Sequence, residues 1–148
     1  MDRKRVFEQL KIDEGVEYEI YSDHLGFPTF GVGHLVIDTD PEWQAPMGTP
    51  VSSERVWEAF ERDLDIAIDE CCVLYGEETF EMWPDEVQEV VVNMMFNMGR
   101  PRLSKFKNFR KALEEYDWAK AAKEGRDSRW YDQVTNRAER LMLRLEHI

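Results

Sequence analysis

The sequence predicts an α+β protein in which a small β-hairpin lobe near the N-terminus precedes a larger helical lobe. Two patterns carry this prediction. Residues 18–35 are rich in aromatic and β-branched side chains in rough alternation, which is typical of half-buried strands. From Ser52 onward, apolar residues recur at intervals of three and four, the period of an amphipathic helix. With 148 residues and 43% hydrophobic composition, the chain can bury a core without a disulfide or metal.

We expect residues 1–148 to form a single domain. In that domain, a long helix from about 53 to 73 joins lobe 1, at about 14–52, to lobe 2, at about 74–148. The N-terminal helix 3–13 is assigned to lobe 2. No internal repeat or low-complexity tract divides the chain further.

The N-terminal third supplies a helix, a hairpin and a loop. Apolar side chains of residues 3–13 recur on one face of a short helix. The polar turn at 22–26 ends in glycine and separates two runs of strand formers, which predicts a β-hairpin. Gly31 and Gly33 mark a bend or a close backbone approach. Residues 37–50 are rich in proline, glycine and aspartate and predict a loop.

Capping residues and glycines delimit five further helices, of which the first is the long joining helix. Each predicted start carries a residue that caps or begins helices, and a glycine follows several of the helices. The predicted starts are Ser52 or Ser53, Pro84, Ser104, Asp117 and Thr135, and the terminating glycines are Gly76, Gly99 and Gly125.

Charge and hydropathy exclude several classes of protein. The net charge is -12, which argues against a basic nucleic-acid-binding surface, and we expect no nucleic-acid partner. Residues 1–100 carry 7 basic and 23 acidic side chains, whereas residues 101–148 carry 12 and 8. No apolar run approaches the roughly 18 residues of a membrane span, so we expect no membrane insertion. The N-terminus lacks the apolar region of a signal peptide, and Cys71 and Cys72 are expected to be reduced.

The candidate chemistry lies in the N-terminal lobe, where Glu14 ends the first helix and Asp23 lies in the hairpin turn. The chain turns back between them, so the two carboxylates can face each other across a gap. Glycoside hydrolysis uses one protonated carboxylic acid and one ionised carboxylate. The spacing alone is a weak signal in a chain with 31 acidic residues, and it leaves a solvated acidic surface as the simpler alternative.

The motifs as a whole are more specific. The segments LKIDEGVEYEIYSDHLGFPTFGVGHL, VNMMFNMG, KFKNF and GRDSRWYDQVTNRAER occur in that order. Together they resemble the phage-type lysozymes, glycoside hydrolase family 24, over nearly the whole chain apart from the loop around residues 36–50. The resemblance implies a lysozyme-like fold with a cleft between the lobes. It also implies a muramidase that cleaves the β-1,4 bond between N-acetylmuramic acid and N-acetylglucosamine with inversion.

The resemblance also implies roles for individual residues. Glu14 corresponds to the general acid, Asp23 to the second carboxylate, and Thr29 to the hydroxyl that helps to hold the attacking water. His34 and Asp63 correspond to a structural ion pair that links the β lobe to the long helix.

Further positions are implied to lie around the substrate. Arg137 corresponds to an arginine beside the general acid, and we group it with the structural ion pairs. The implied substrate-binding residues are Leu35, Phe96, Asn97, Phe109, Glu124 and Trp130. For Trp130, the alternative to a substrate contact is a position in the core. Phe109 and Glu124 stand where the family has small polar residues, so the resemblance does not decide whether these two side chains contact substrate.

The expected partner is bacterial peptidoglycan, with no cofactor and no metal, and the protein is expected to act as a monomer. It is expected to stay in the host cytoplasm until a separate holin-like protein releases it to the cell wall or periplasm. Two alternatives remain open. A lytic transglycosylase needs one catalytic acid and forms an anhydro sugar, and a non-catalytic acidic binding or structural module can also use this fold.

Overall fold

The computed structural model describes all residues from 1 to 148 and contains eight helices and one antiparallel three-stranded sheet of order β1-β2-β3. The predicted α+β class is therefore confirmed. In chain order the elements are α1 (Arg3–Glu14), β1 (Glu17–Ser22), β2 (Pro28–Gly31), β3 (His34–Leu35), α2 (Ser53–Tyr75), α3 (Glu77–Met82), α4 (Asp85–Leu103), α5 (Lys107–Glu114), α6 (Trp118–Arg126), α7 (Arg129–Gln133) and α8 (Thr135–Glu146).

The chain divides into two compact units. One comprises residues 3–66 and is called the β unit here; the other comprises residues 67–148 with 1–2 and is called the helical unit. This division differs from the expected lobes by grouping α1 with the sheet. The reason is that Phe7 of α1 packs against the core beneath the sheet and contacts the ring of Trp57. That the whole chain forms a single domain stays a prediction.

In the β unit, β1 and β2 form the predicted hairpin, with Tyr21 opposite Thr29. The other edge of β1 bonds to the end of the loop, where Ile20 N–H donates to the Thr49 carbonyl at 2.9 Å. Ile20 of β1 and Phe30 of β2 point into a small apolar core, although burial along the two strands does not alternate as the strand pattern predicts. This core consists of Ile20, Phe30, Val36, Val51, Val56 and Ala59.

Gly31 marks the close approach of a strand to a helix. Its φ is +63°, and a Cβ added there would lie 3.2 Å from Cγ1 of Val56 on α2. Both the left-handed backbone and the lack of space favour glycine. The predicted close approach therefore occurs between β2 and α2.

The helical unit is built around α4, whose valines and methionines are buried on most faces. Gly99, at φ 76° and ψ 164°, breaks the helix where its end was predicted, and one further turn continues through Pro101 to Leu103. Ser104 closes that turn by donating its Oγ hydrogen bond to the Pro101 carbonyl at 2.7 Å, so α5 begins later than predicted. Asp117 caps α6 as predicted, accepting from Lys120 N–H at 3.1 Å.

The sequence patterns did not indicate α3 and α7. These helices have six and five residues, too few to repeat a helical period. Ser128 caps α7 by accepting from Tyr131 N–H at 3.2 Å. No helix in the structure combines the length and apolar character needed to cross a bilayer.

Candidate active site

Asp23 lies in the turn that follows β1, and the turn fixes its carboxylate. Its Oδ1 accepts hydrogen bonds from Leu25 N–H at 2.9 Å and Phe27 N–H at 2.8 Å. The Asp23 N–H donates in turn to the Phe27 carbonyl at 2.9 Å. This arrangement occupies one carboxylate oxygen with backbone donors and leaves Oδ2 available to a substrate or water.

Thr29 lies on β2 beside this turn and is only 4% exposed. Its Oγ1 donates to the Phe27 carbonyl at 3.1 Å. The backbone of Phe27 thus contacts both Asp23 and Thr29 and sets their relative positions. Because the threonine proton is used in this bond, its oxygen keeps lone pairs that can accept from a water molecule.

Glu14 is the last residue of α1 and is exposed. The next residue, Gly15, has φ +79° and donates its N–H to the Lys11 carbonyl at 2.9 Å, which ends the helix at the glutamate. Burial raises the pKa of the Tyr21 phenol, and the charges of Glu17, Asp23 and Glu14 raise it further. Glu14 and Asp23 therefore both act electrostatically on the Tyr21 phenol. That the two carboxylates face each other across a gap stays a prediction.

His34 forms the expected pair with Asp63 and has a second partner that no sequence pattern indicates. Its Nδ1 lies 2.7 Å from Asp63 Oδ2 on α2, and its Nε2 lies 2.9 Å from Asp40 Oδ2. Burial lowers the pKa of His34, but the hydrogen bonds and charges of Asp63 and Asp40 outweigh burial and raise it overall. His34 thus connects β3 both to the long helix and to the loop that follows the sheet.

Asp40 is 5% exposed and organises this loop. It also accepts from Ile37 N–H at 2.9 Å and from Arg55 Nη2 at 3.1 Å. Burial raises the pKa of Asp40, while the Ile37 N–H, His34 and Arg55 lower it, and the net pKa is lowered. Arg55 also binds Glu42 through Nε at 2.9 Å. Nothing in the sequence separated Asp40 from exposed Asp38, because the burial of Asp40 depends on partners up to 15 residues away.

Arg137 lies on α8 and is buried. Its Nε donates to Asn93 Oδ1 at 2.9 Å, and its Nη2 donates to the Asn93 carbonyl at 3.3 Å. These bonds attach α8 to α4. The expected position of Arg137 beside Glu14 stays a prediction.

The expected substrate residues differ in exposure. Leu35 is exposed on β3, whereas Phe96 and Asn97 are half-buried on α4. Trp130 is 2% exposed and donates its Nε1–H to Asn97 Oδ1 at 2.7 Å. Trp130 therefore occupies a core position, which was the alternative to a substrate contact. Its hydrogen bond also orients the Asn97 amide.

Phe109 and Glu124 meet in the helical unit, at a groove of about 260 Å³. Lys105 and Lys107 also line this groove, beside Asp127. The groove thus combines cationic and anionic side chains with two phenylalanines, Phe106 and Phe109. No group of three or more histidine, cysteine or acidic side chains is arranged to hold a metal ion.

The chain thus carries an aspartate fixed by a hairpin turn and a glutamate at the end of a helix, the two kinds of carboxyl group that glycoside hydrolases use. The family described as phage lysozyme matches residues 11–145, and the chain belongs to this family. Family membership supports a lysozyme function, the lysis of peptidoglycan.

Individual relatives agree with this assignment. The chain is 31% identical to "Probable T4-type lysozyme 1" of Dictyostelium discoideum, with 94% of this chain and 92% of the relative covered. It is 30% identical to "Probable T4-type lysozyme 2" of the same organism, with coverages of 91% and 89%. It is also 30% identical to the pre-baseplate central spike protein of Enterobacteria phage T4, with 92% of this chain covered. This chain spans only 26% of the spike protein.

Proposed function

We propose that the protein is a muramidase that hydrolyses the β-1,4 bond between N-acetylmuramic acid and N-acetylglucosamine with inversion at the anomeric carbon. The observation that carries the proposal is the arrangement around Phe27, whose backbone binds both Asp23 and Thr29. This arrangement suits a water held between a carboxylate base and a hydroxyl acceptor.

In the proposed reaction, Glu14 gives its proton to the glycosidic oxygen as the bond to the anomeric carbon breaks. A water held by Thr29 attacks the opposite face of that carbon, and Asp23 Oδ2 takes the water's proton. One C–O bond breaks and one forms, and Glu14 and Asp23 exchange their protonation states. Inverting enzymes need about 6.5–9.5 Å between the two carboxyl groups, against about 5–5.5 Å in retaining enzymes, to leave room for the water.

The charged network behind the sheet supports this role by orienting β3. His34 is anchored at both ring nitrogens, so the strand that carries Leu35 is attached to α2 and to the loop. Catalytic groups act best when the surrounding side chains cannot relax. We further propose that the enzyme acts as a monomer in bacterial wall lysis, after another protein gives it access to the wall.

The product identifies the reaction. Purified protein is incubated with peptidoglycan, and the new ends are analysed by mass spectrometry while the anomeric signals are followed by ¹H NMR. We expect reducing ends that first appear as the α anomer. An anhydro-muramic end would instead assign a lytic transglycosylase, and a first-formed β anomer would contradict inversion. If folded protein leaves the walls intact, the remaining interpretation is a non-catalytic module.

A further inference from the structure

A groove in the helical unit has no role in the reaction described above. It has a volume of about 540 Å³, which is within the range of small-ligand sites. Its lining comes from the end of α2, the end of α4, the turn that follows α4, and α5. The lining residues are Val73, Leu74, Arg100, Pro101, Ser104 and Arg110.

The lining of this groove is cationic, although the chain as a whole is acidic. The protein carries 31 acidic and 19 basic side chains, yet two arginines and no acidic residue line the groove. On a protein with a net charge of -12, a local cationic site attracts anionic groups that the rest of the surface repels. The charge of the lining therefore selects an anionic ligand.

Both arginines are oriented by glutamates without using all of their donors. Arg110 donates its Nε to Glu114 at 2.9 Å, and Arg100 pairs with Glu70 through Nε. Neither glutamate lines the groove. A guanidinium has five N–H donors, so the Nη groups of both arginines keep donors for a ligand. The two ion pairs are half-exposed and contribute little to stability, so an anion that competes with the glutamates binds at small cost.

The remaining lining residues add aliphatic surface and a hydrogen-bond acceptor. Val73 is 64% exposed and lines the groove with Leu74 and Pro101, so aliphatic carbon lies beside the guanidiniums. The Ser104 hydroxyl donates to the Pro101 carbonyl at 2.7 Å, and its oxygen keeps lone pairs that accept from a ligand hydroxyl. No aromatic side chain lines the groove, so it lacks the stacking surface that single-stranded nucleic acids use.

We propose that this groove binds a phosphodiester group of a polyol phosphate polymer, an anionic chain in which phosphates alternate with short hydroxylated carbon units. The two non-bridging oxygens of a phosphodiester accept from the two guanidiniums, whose planar donors match phosphate oxygens. The adjoining carbon units pack against Val73 and Pro101, and a polyol hydroxyl donates to Ser104. The binding site is separate from the proposed muramidase reaction, in which none of these residues takes part.

The test measures the binding of a soluble glycerol phosphate oligomer by isothermal titration calorimetry. Arg100→Gln and Arg110→Gln should each raise the Kd about tenfold. Arg102→Gln is the matched control, because Arg102 has the same charge, lies two residues from Arg100, and donates to Gln133 without lining the groove. Its Kd should change by less than about twofold. Glu114→Gln should lower the Kd, because it removes the acceptor that competes for Arg110. Thermal unfolding verifies that every variant is folded.

Further probes identify the ligand chemistry. Inorganic phosphate should bind more weakly than the oligomer, and polyglutamate of similar length should not displace the oligomer. Vesicles of phosphatidylglycerol that bind as tightly as the oligomer, and through the same two arginines, would assign a lipid headgroup and overturn the polymer.

Two results would overturn the site itself. The first is equal weakening in all three arginine variants, because net charge alone would then govern binding. The second is wild-type protein that does not bind the oligomer. All of these measurements are made without peptidoglycan, so they support or overturn the groove whether or not the protein digests walls.

Discussion

The two compact units are stabilised by different means. The β unit has a cluster of six buried apolar residues at its sheet and adds a buried charged network around His34, Asp40 and Arg55. The helical unit buries long runs of valine, methionine and leucine on α4 and α8, and its buried charges accompany a much larger apolar core. In the β unit, a short sheet with little apolar surface depends on polar contacts to hold its loop in place. In the helical unit, amphipathic helices are stabilised mainly by burial of apolar side chains.

The largest expected effect is on chemistry in the β unit. Glu14→Gln and Asp23→Asn should each lower wall lysis by about 10²–10⁴-fold, because each removes a proton-transfer group. Glu17→Gln is the matched control, since Glu17 also acts on the Tyr21 phenol but has no role in the reaction. Lysis is measured as turbidity loss, with circular dichroism to verify folding. If Glu14→Gln keeps more than a tenth of wild-type activity, another residue is the general acid.

The next effect concerns stability of the β unit. Asp40→Ala should lower the free energy of unfolding by about 3 kcal/mol, because it leaves His34 and Arg55 buried without their shared partner. Asp38→Ala, at an exposed position two residues earlier, should change stability by less than about 0.5 kcal/mol. Urea denaturation measures both. Equal stability of the two variants would show that the network does not hold the loop.

A matched test in the helical unit is Met94→Ala. Met94 is fully buried on α4, so its truncation should cost about 2–5 kcal/mol through lost burial and a cavity. Met82→Ala, at an exposed methionine, serves as the control. Unlike Asp40→Ala, the loss in Met94→Ala should be the same at every pH where the protein folds. A strongly pH-dependent loss would break the contrast between the two units.

The pH dependence of stability follows from the network. The pKa of His34 is raised above its ordinary value of 6.5, so its stabilising contribution is complete below that value and is lost as pH rises through the folded pKa. The pKa of Asp40 is lowered from 3.8, so its contribution is present above 3.8 and lost as pH falls through the folded pKa. The network should therefore stabilise most between these two values.

Thermal unfolding between about pH 4 and about pH 9 tests the alkaline half of this expectation, which depends on His34. Wild type should lose stability toward alkaline pH, and His34→Gln should lose much of that slope. An unchanged slope in His34→Gln would assign the alkaline loss to other groups.

The smallest expected effect is the salt dependence of wall lysis, which shows whether the acidic excess of residues 1–100 or the basic residues of 101–148 govern wall binding. With a net charge of -12, the protein should be repelled by an anionic wall at low ionic strength, where the Debye length is about 30 Å at 0.01 M. Lysis should hold or rise as salt screens this repulsion. A steady fall in rate with added salt would show that the basic residues of 101–148 govern wall binding instead.

The sequence by itself determined the fold class and most helices. Periodicity over many residues reports burial directly, so α2, α4 and α8 were predictable, as were the hairpin turn and the break at Gly99. The candidate catalytic residues were also found from sequence, because Glu14, Asp23 and Thr29 occur within one short motif that resembles the family.

Only the tertiary structure decided the polar network and the groove that Phe27 and Trp43 line. Asp40 differs from exposed Asp38 only through its contacts with His34 and Arg55, and no local pattern encodes those contacts. Likewise, Trp43 joins Phe27 in one groove although 16 residues separate them in the chain. Local patterns report on neighbours in sequence, whereas burial of a charge and assembly of an exposed aromatic surface depend on groups that meet only after the chain has folded.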